Sequence, residues 1–339
     1  MTAPHREKKR PRSRSRARRR VRALGLLLTV ISGLAALPLV VLDLFPTLQP
    51  YGRQLLAFLA SAIPYLPIPL VGVALGLMLL LGGRLRLIGV GLLVVVIVLG
   101  SQPWWSFPTA STPRPPSTAL RVLSLNTEFG QANQDQILQL AKSADILAFQ
   151  ENTPEFMASL GAKGLSADFP YRAGSAELDS YGTMLWSRTP VTVVALGNTL
   201  YMSLVVRTSV RGTEWTVSTV HAVSPKDGTG IWQTDAAAIA DLLRPYVGEH
   251  LVVVGDFNAI DEHLTMRRIR AVGLQDSMAG WPLTAGDGFQ NSWPNDPRVP
   301  FLIRIDHALH SASVDAWRPR YVTVSGSDHR ALIASFAPR

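Results

Sequence analysis

Three apolar runs in the first 105 residues constrain this chain more than anything that follows them. Val21 to Leu44 is interrupted only by Asp43 near its end, Leu55 to Leu81 carries Pro64, Pro67 and Pro69, and Leu87 to Trp105 closes the set. About twenty predominantly apolar residues let a helix span the hydrocarbon core of a bilayer. A removable signal peptide has one shorter run and a small-residue cleavage site. The expectation is a membrane domain over residues 21–105 with three transmembrane helices, the second kinked at its prolines.

Positive charge sets the orientation, because Lys and Arg near span ends stay in the cytoplasm. Residues 1–22 hold eleven Lys/Arg and one acid, the second connection holds Arg84 and Arg86, and the first holds only Arg53. The N-terminus is therefore expected inside and everything after the third run outside. Residues 1–22 are Pro/Ser/Arg-rich without apolar periodicity and read as disordered, so residues 1–20 form a basic cytoplasmic tail ahead of the membrane domain. Trp104 and Trp105 fit an interfacial aromatic belt. Residues 106–118, SFPTASTPRPPST, suit an extended linker reaching about 40 Å at 3.1 Å per residue.

The overall charge of +9 comes from that tail, since residues 119–339 hold eighteen Lys/Arg against twenty-two Asp/Glu, a net of −4. This argues against nucleic acid as the main partner, because phosphate-backbone binding needs a basic face on the folded domain. The absence of cysteine excludes disulfides, thiolate zinc sites and a cysteine nucleophile.

From Ala119 to the end, short apolar segments alternate with helical patterns. LRVLSLN, DILAFQE, GTMLWSR, VTVVAL, LVVRTSV, EWTVSTVHA, LVVVGDFN, FLIRIDHALHS and HRALIASF read as strands. Helices are expected over DQILQLAKSA, near Pro154 to Ala162 and near Ile231 to Leu243. Consecutive strands in the middle make hairpins, so the expected fold is a mixed-sheet α/β domain rather than a βαβ repeat.

LVVVGDFN reads as a strand buried on both faces, with Asp256 and Asn258 emerging at its end. Alone, the pair is equally consistent with a turn and with groups that orient a nucleophile and contact a phosphoryl oxygen. Polar residues recur in this way, however. Asn126 follows RVLSL, Glu151 follows DILAFQ, His221 follows TVSTV, Asp306 follows FLIRI, and Asp328 with His329 precede ALIASF. Strand ends converge at one sheet edge, where such residues form one pocket.

LSLN, FQE, TVHAVSP, GDFN, RIDH and SDHRAL, in that order over roughly 220 residues, resemble the motifs of the endonuclease/exonuclease/phosphatase superfamily, which includes the DNase I-like nucleases, the sphingomyelinases and the inositol-polyphosphate 5-phosphatases. The resemblance implies a four-layer α/β sandwich of two mixed β-sheets flanked by helices, and metal-dependent phosphoester hydrolysis with Mg²⁺ or Mn²⁺. It also implies roles. Asn126, Glu151 and Asp328 would serve the metal, a hard cation that suits oxygen ligands. His329 would be oriented by Asp306, His221 would protonate the leaving oxygen, and Asp256 with Asn258 would orient the nucleophile and bind the phosphoryl group. His307 departs from the aromatic residue often found after the RID aspartate. His250 and His263 read as surface residues, and Arg267, Arg268 and Arg270 as a solvated helix face.

A basic tail, three spans and an external domain together resemble the VanJ-type teicoplanin-resistance membrane proteins of actinomycetes. That resemblance implies a multi-pass cell-membrane enzyme acting on a phosphorylated envelope lipid such as undecaprenyl pyrophosphate. A membrane-tethered extracellular nuclease and a catalytically silent envelope-binding module are the competing readings.

Overall fold

The computed structural model describes residues 12–100, 115–278, 283–284, 288–289, 291–299 and 302–339. Trp104, Trp105 and most of the expected linker lie outside the described residues, as does the start of the basic tail. The chain forms two compact units, Met1–Leu44 with Ala62–Gln102 and Phe45–Ser61 with Pro103–Arg339.

Among the described residues, four α-helices precede the first strand: α1 (Arg12–Leu44), α2 (Leu55–Ala60), α3 (Pro67–Leu80) and α4 (Arg86–Gly100). The helix of α1 begins inside the basic run expected to be disordered. Arg is a good helix former, and from Arg12 no proline interrupts the run until Pro38. Arg16–Leu44 is long and apolar enough to cross a membrane, and it is the one unbroken helix among the described residues that is.

Of the three expected transmembrane helices, α1 alone is met as a single unbroken helix among the described residues. The second is broken into α2, a 3₁₀ turn over Ile63–Tyr65 and α3, because proline removes a helical donor and clashes with the preceding turn. Its two halves pass the length test only when taken together. Of the third, the described residues hold α4 up to Gly100, and the end of the run, to Trp105, lies outside them. Within this first unit α1 and α3 approach at glycines. A Cβ added to Gly76 would lie 2.7 Å from the Thr29 amide nitrogen and 2.9 Å from the Gly25 carbonyl oxygen, the small-residue contact typical of helices packed in a bilayer.

The second unit holds two six-stranded sheets. The first has the order β13-β14-β1-β2-β4-β3, with β1 (Leu120–Asn126), β2 (Ile146–Gln150), β3 (Tyr171–Ser175), β4 (Thr183–Ser187), β13 (Val314–Thr323) and β14 (Arg330–Pro338). The second has the order β5-β6-β7-β8-β12-β9, with β5 (Val191–Leu196), β6 (Leu204–Val210), β7 (Thr213–His221), β8 (Leu251–Asp256), β9 (Gln275–Asp276) and β12 (Asp306–His310). A ribbon of β10 (Leu283–Thr284) and β11 (Gly288–Phe289) stands apart. Both large sheets are mixed: β1 runs parallel to β2 and β7 parallel to β8, and the other pairings are antiparallel.

Side-chain alternation explains the layers. Val122, Ile146 and Ala148 face Val217, Val252 and Val254 in a core between the sheets. Leu123, Leu125, Leu147 and Phe149 turn to the outer face of the first sheet, under α5 (Gln134–Ala141) and α6 (Pro154–Leu160). Leu251, Val253 and Leu309 pack outward against α7 (Thr229–Leu243) and α8 (Leu264–Arg270). The result is the expected helix–sheet–sheet–helix sandwich, in which central strands are apolar on both faces.

Beside the two-residue β9, β10 and β11, two strands have no counterpart in the sequence reading, β3 and β13. Both lie at edges, and β13 carries Pro319 at a bulge between Trp317 and Arg320. Proline in a strand is confined to edges and bulges and blurs the pattern.

Candidate active site

The parallel pairs bring strand ends together. Asn126 is in register with Gln150, and His221 with Asp256. Asp306 was expected at the end of a strand; it instead opens β12, which runs antiparallel to β8 and so places it opposite Asp256. Asp328 and His329 sit just before β14, antiparallel to β1. All eight residues singled out from the sequence therefore reach one edge of the sandwich. Gly255 makes room for this. Its φ is +149°, and a Cβ there would lie 1.9 Å from the Val220 carbonyl oxygen, so only glycine lets β8 approach β7 before Asp256.

Hydrogen bonds tie the residues into one network. Asn126 Nδ2 donates to Asp256 Oδ2 at 3.1 Å, and the Asn258 amide donates to Asp256 Oδ1 at 2.8 Å. Asn258 Nδ2 donates to the Ala222 carbonyl at 2.9 Å. His329 Nδ1 donates to Asp306 Oδ2 at 2.8 Å, leaving Nε2 at 3.7 Å from Asp256 Oδ2 and 3.8 Å from Asp328 Oδ1. The Asp306 backbone is fixed as well: its N–H donates to Ser292 Oγ, and its carbonyl accepts from the Tyr321 hydroxyl.

Electrostatics separates the two histidines. Burial alone would depress the His329 ring, but Asp306 and Asp256 outweigh it and hold its pKa up to about 10, so the ring is an imidazolium. Burial, followed by the charge of His329, pushes His221 down to about 3, so that ring is neutral. Glu151 Oε1 lies 3.7 Å from His221 Nε2. Neither His221 ring nitrogen has a hydrogen-bond partner among the described residues. The ring is instead stacked on Tyr201 at 4.6 Å between centroids, and Tyr181 meets Tyr201 edge-on at 5.5 Å.

Glu151, Asp328 and a third carboxylate, Glu128, form the acidic side. Burial raises the pKa of both Glu151 and Glu128, and Asp328 raises each further. A divalent cation would relieve that repulsion, although these three carboxylates are not among the groups of described residues whose ligand atoms lie close enough together to share an ion. Glu151, Asp328, Asn126 and the additional Glu128 offer the oxygen donors. Asp256, Asp306 and His329 also lie close enough to share an ion, but there the imidazolium already neutralises the carboxylates.

Backbone strain marks the same place. Seven non-glycine residues among those described have positive φ, and four of them are Glu128, Phe129, Glu151 and Asn258. Such conformations cost about 1–3 kcal/mol each and persist where surroundings over-determine them, often at functional sites. Glu128 and Tyr201 are the residues the sequence reading missed. Glu128 follows Asn126 by two positions, a faint signal, whereas nothing local points to Tyr201.

Residues set aside in the sequence also find places. His263, expected at the surface, is buried: Nδ1 accepts from the Ile260 amide, and Nε2 donates to the Ala57 carbonyl. His307 bridges Asp276 Oδ2 at 2.7 Å and the Ala259 carbonyl at 2.8 Å. Asp261 and Asp276 could join it around an ion, but Arg304 pairs with both carboxylates and Arg270 with Asp261, so this group is an internal ion-pair network. Arg268 donates to the Gln233 carbonyl, so the arginine face of α8 is partly engaged by protein.

Comparison with known proteins agrees with this geometry. Residues 123–329 match the Endonuclease/Exonuclease/phosphatase family. No curated protein matches the chain. Among solved structures, an endonuclease/exonuclease/phosphatase from Bacteroides vulgatus is 17% identical with a TM-score of 0.51, covering 66% of this chain and 100% of its own. One from Beutenbergia cavernae is 17% identical with a TM-score of 0.50, covering 66% and 72%. A conserved protein of unknown function from Enterococcus faecalis is 16% identical with a TM-score of 0.50, covering 65% and 100%. At this identity the structures bear on the fold alone, but the family match spans more than half of the chain, and the protein belongs to the Endonuclease/Exonuclease/phosphatase family, whose members hydrolyse phosphoester bonds, generally with a divalent metal.

Proposed function

We propose that this protein is a multi-pass membrane enzyme, N-terminus cytoplasmic, whose external domain removes phosphate from a phosphorylated or pyrophosphorylated lipid such as undecaprenyl pyrophosphate. The observation that carries the hydrolytic part is the convergence of Asn126, Glu151, His221, Asp256, Asn258, Asp306, Asp328 and His329 into one network. The lipid part is supported by the membrane-length helix α1. It is also supported by a cleft of about 610 Å³ whose lining includes Leu178, Tyr181, Leu196, Leu200 and Met202. Tyr181 joins that cleft to His221 through Tyr201, so an apolar chain could lie there with its phosphate at the network.

The geometry supports the following roles. Glu151, Asp328, Asn126 and Glu128 would hold a divalent cation, Mg²⁺ or Mn²⁺, which when bound neutralises charge on the phosphoryl oxygens. Asp256 is held by Asn126 and Asn258 with one carboxylate oxygen near His329 Nε2, placed to orient water for in-line attack. His329, kept charged and oriented by Asp306, faces the developing negative charge. Asn258 presents its amide beside the same position. His221 stands where a leaving oxygen would depart, and its neutral ring needs the negative charge of a bound phosphate to draw its pKa upward before it can donate a proton.

Phosphate release by the full-length protein, measured across lipid pyrophosphates, lipid monophosphates, sphingomyelin and DNA, tests this reading. Release from a lipid phosphate that chelator abolishes and Mg²⁺ or Mn²⁺ restores is expected, with Glu151→Gln inactive but folded. Cleavage of DNA in preference to every lipid would favour the tethered nuclease, and no release from any substrate would favour a silent module. Export-dependent reporter fusions should be active after Ser106 and inactive after Arg84; the reverse would overturn the topology.

A further inference from the structure

The segment Phe45–Ser61 connects the first two apolar runs, yet it belongs to the compact unit that contains both sheets. Gln49 is fully buried. Its Nε2 donates to the Glu262 carbonyl at 3.0 Å, and its Oε1 accepts from the Leu264 amide at 2.8 Å. Around it, Thr229 Oγ1 donates to the Pro50 carbonyl and Gln54 Nε2 to the Lys226 carbonyl. The side chain of Ala57, on α2, sits fully buried in the cluster of Trp232, Phe257 and Met266, and its carbonyl accepts from His263 Nε2 at 3.1 Å. Since His263 Nδ1 accepts from the Ile260 amide at 3.1 Å, the ring must carry its proton on Nε2.

Each of the bonds from Gln49 and Ala57 lands on residues 260–264. That stretch follows Asp256 and Asn258 directly, and Asn258 keeps a left-handed backbone with φ of 45°. Asn tolerates that conformation better than other side chains, and here both of its flanks are held. On one flank Asp256 ends β8; on the other, residues 260–264 are gripped by a segment some two hundred positions away in sequence.

We infer that Gln49 is a positioning residue, which acts through the 260–264 loop to set Asn258 and Asp256, so that the connection between two apolar runs is a working part of the hydrolase. This rests on the proposed phosphohydrolase activity for its kinetic consequence but not for its structural one. Buried Gln49 satisfies an acceptor and a donor of the loop backbone at once, a pairing that no apolar side chain replaces. Displacing reactive groups by about 1 Å costs on the order of 10²-fold in rate, so loosening this grip should lower kcat more than it alters KM.

The test uses the full-length protein with Gln49→Met, which removes both side-chain bonds at similar volume, and with Gln54→Ala, a milder variant that frees only the Lys226 contact. Two quantities are read: amide hydrogen exchange at Asn258 and Leu264, and kcat and KM on a chromogenic phosphodiester. Gln49→Met should speed exchange at both amides and lower kcat roughly 10-fold or more with KM within about twofold; Gln54→Ala should move both readouts the same way by less. Exposed Tyr51→Ser should change neither. If Gln49→Met misfolds, Gln49→Asn, one methylene shorter and unable to reach both partners, is read in its place. Unchanged exchange at Asn258, or faster exchange with wild-type kcat, overturns the inference. A wild-type protein inactive on every phosphoester defeats the functional reading instead, and the exchange data then judge whether Gln49 sets Asn258.

Discussion

Asp306→Asn and His329→Ala, made singly and together, ask whether these side chains act as one unit. The ring donates to Asp306 at 2.8 Å and has its other nitrogen 3.7 Å from Asp256. At an effective dielectric of about 20, Coulomb attraction across the shorter distance is about 6 kcal/mol. Desolvation of two buried charges offsets much of that, and this ground-state pairing does not itself set the rate; loss of a positioned transition-state partner is expected to cost roughly 10²- to 10⁴-fold in kcat for His329→Ala. Asp306→Asn should fall in a similar range, because an amide neither stabilises the imidazolium nor fixes the Nδ1 proton. It should also lower the His329 pKa from about 10, since Asp306 is the strongest of the influences raising it.

Coupling is the decisive quantity. With His329 gone, Asp306 has nothing left to orient, so the double variant should be scarcely slower than His329→Ala alone. Single-substrate kinetics beside melting curves separate this from a structural effect. Losses that multiply in the double variant would refute the pairing, as would variants that melt earlier yet keep wild-type turnover per folded molecule.

Tyr201→Phe keeps the ring stacked on His221 and should retain kcat, whereas Tyr201→Leu should lose roughly 3- to 10-fold, the kinetic equivalent of an aromatic pair worth about 0.5–1.5 kcal/mol; equal losses in both would mean that the hydroxyl, not the stack, matters. Acid should destabilise the fold through His263, whose pKa burial lowers from 6.5 to about 4. A base depressed in the folded state contributes stability that is present above pH 6.5 and is lost as pH falls toward 4, here about 3 kcal/mol in total. Melting of the full-length protein across that window should show the loss, and His263→Gln should reduce the slope, leaving the share of the likewise depressed His221; an unchanged slope would remove His263 as a source.

Much of the site was written locally. Alternation in LVVVGDFN, ILAFQ and RVLSLN makes strands buried on both faces, and the polar residues at their ends are brought together by parallel pairing, so Asn126, Glu151, His221 and Asp256 could be read from pattern and motif order. The edge strands β3 and β13 were not legible in this way, because both are half covered and β13 contains Pro319, which relaxes the alternation that reveals a strand. Apolar composition likewise showed that the first hundred residues need covering, but not which of them form an unbroken span. Leu55–Ser61 reads as membrane helix from composition, yet Ala57 is buried among Trp232, Phe257 and Met266, since an apolar surface packs equally well against protein or lipid. His263 became a buried anchor, Tyr201 a platform for His221, and Gln49 a brace for the loop after Asn258. Each depends on partners far away in the chain, which only the tertiary fold brings within reach.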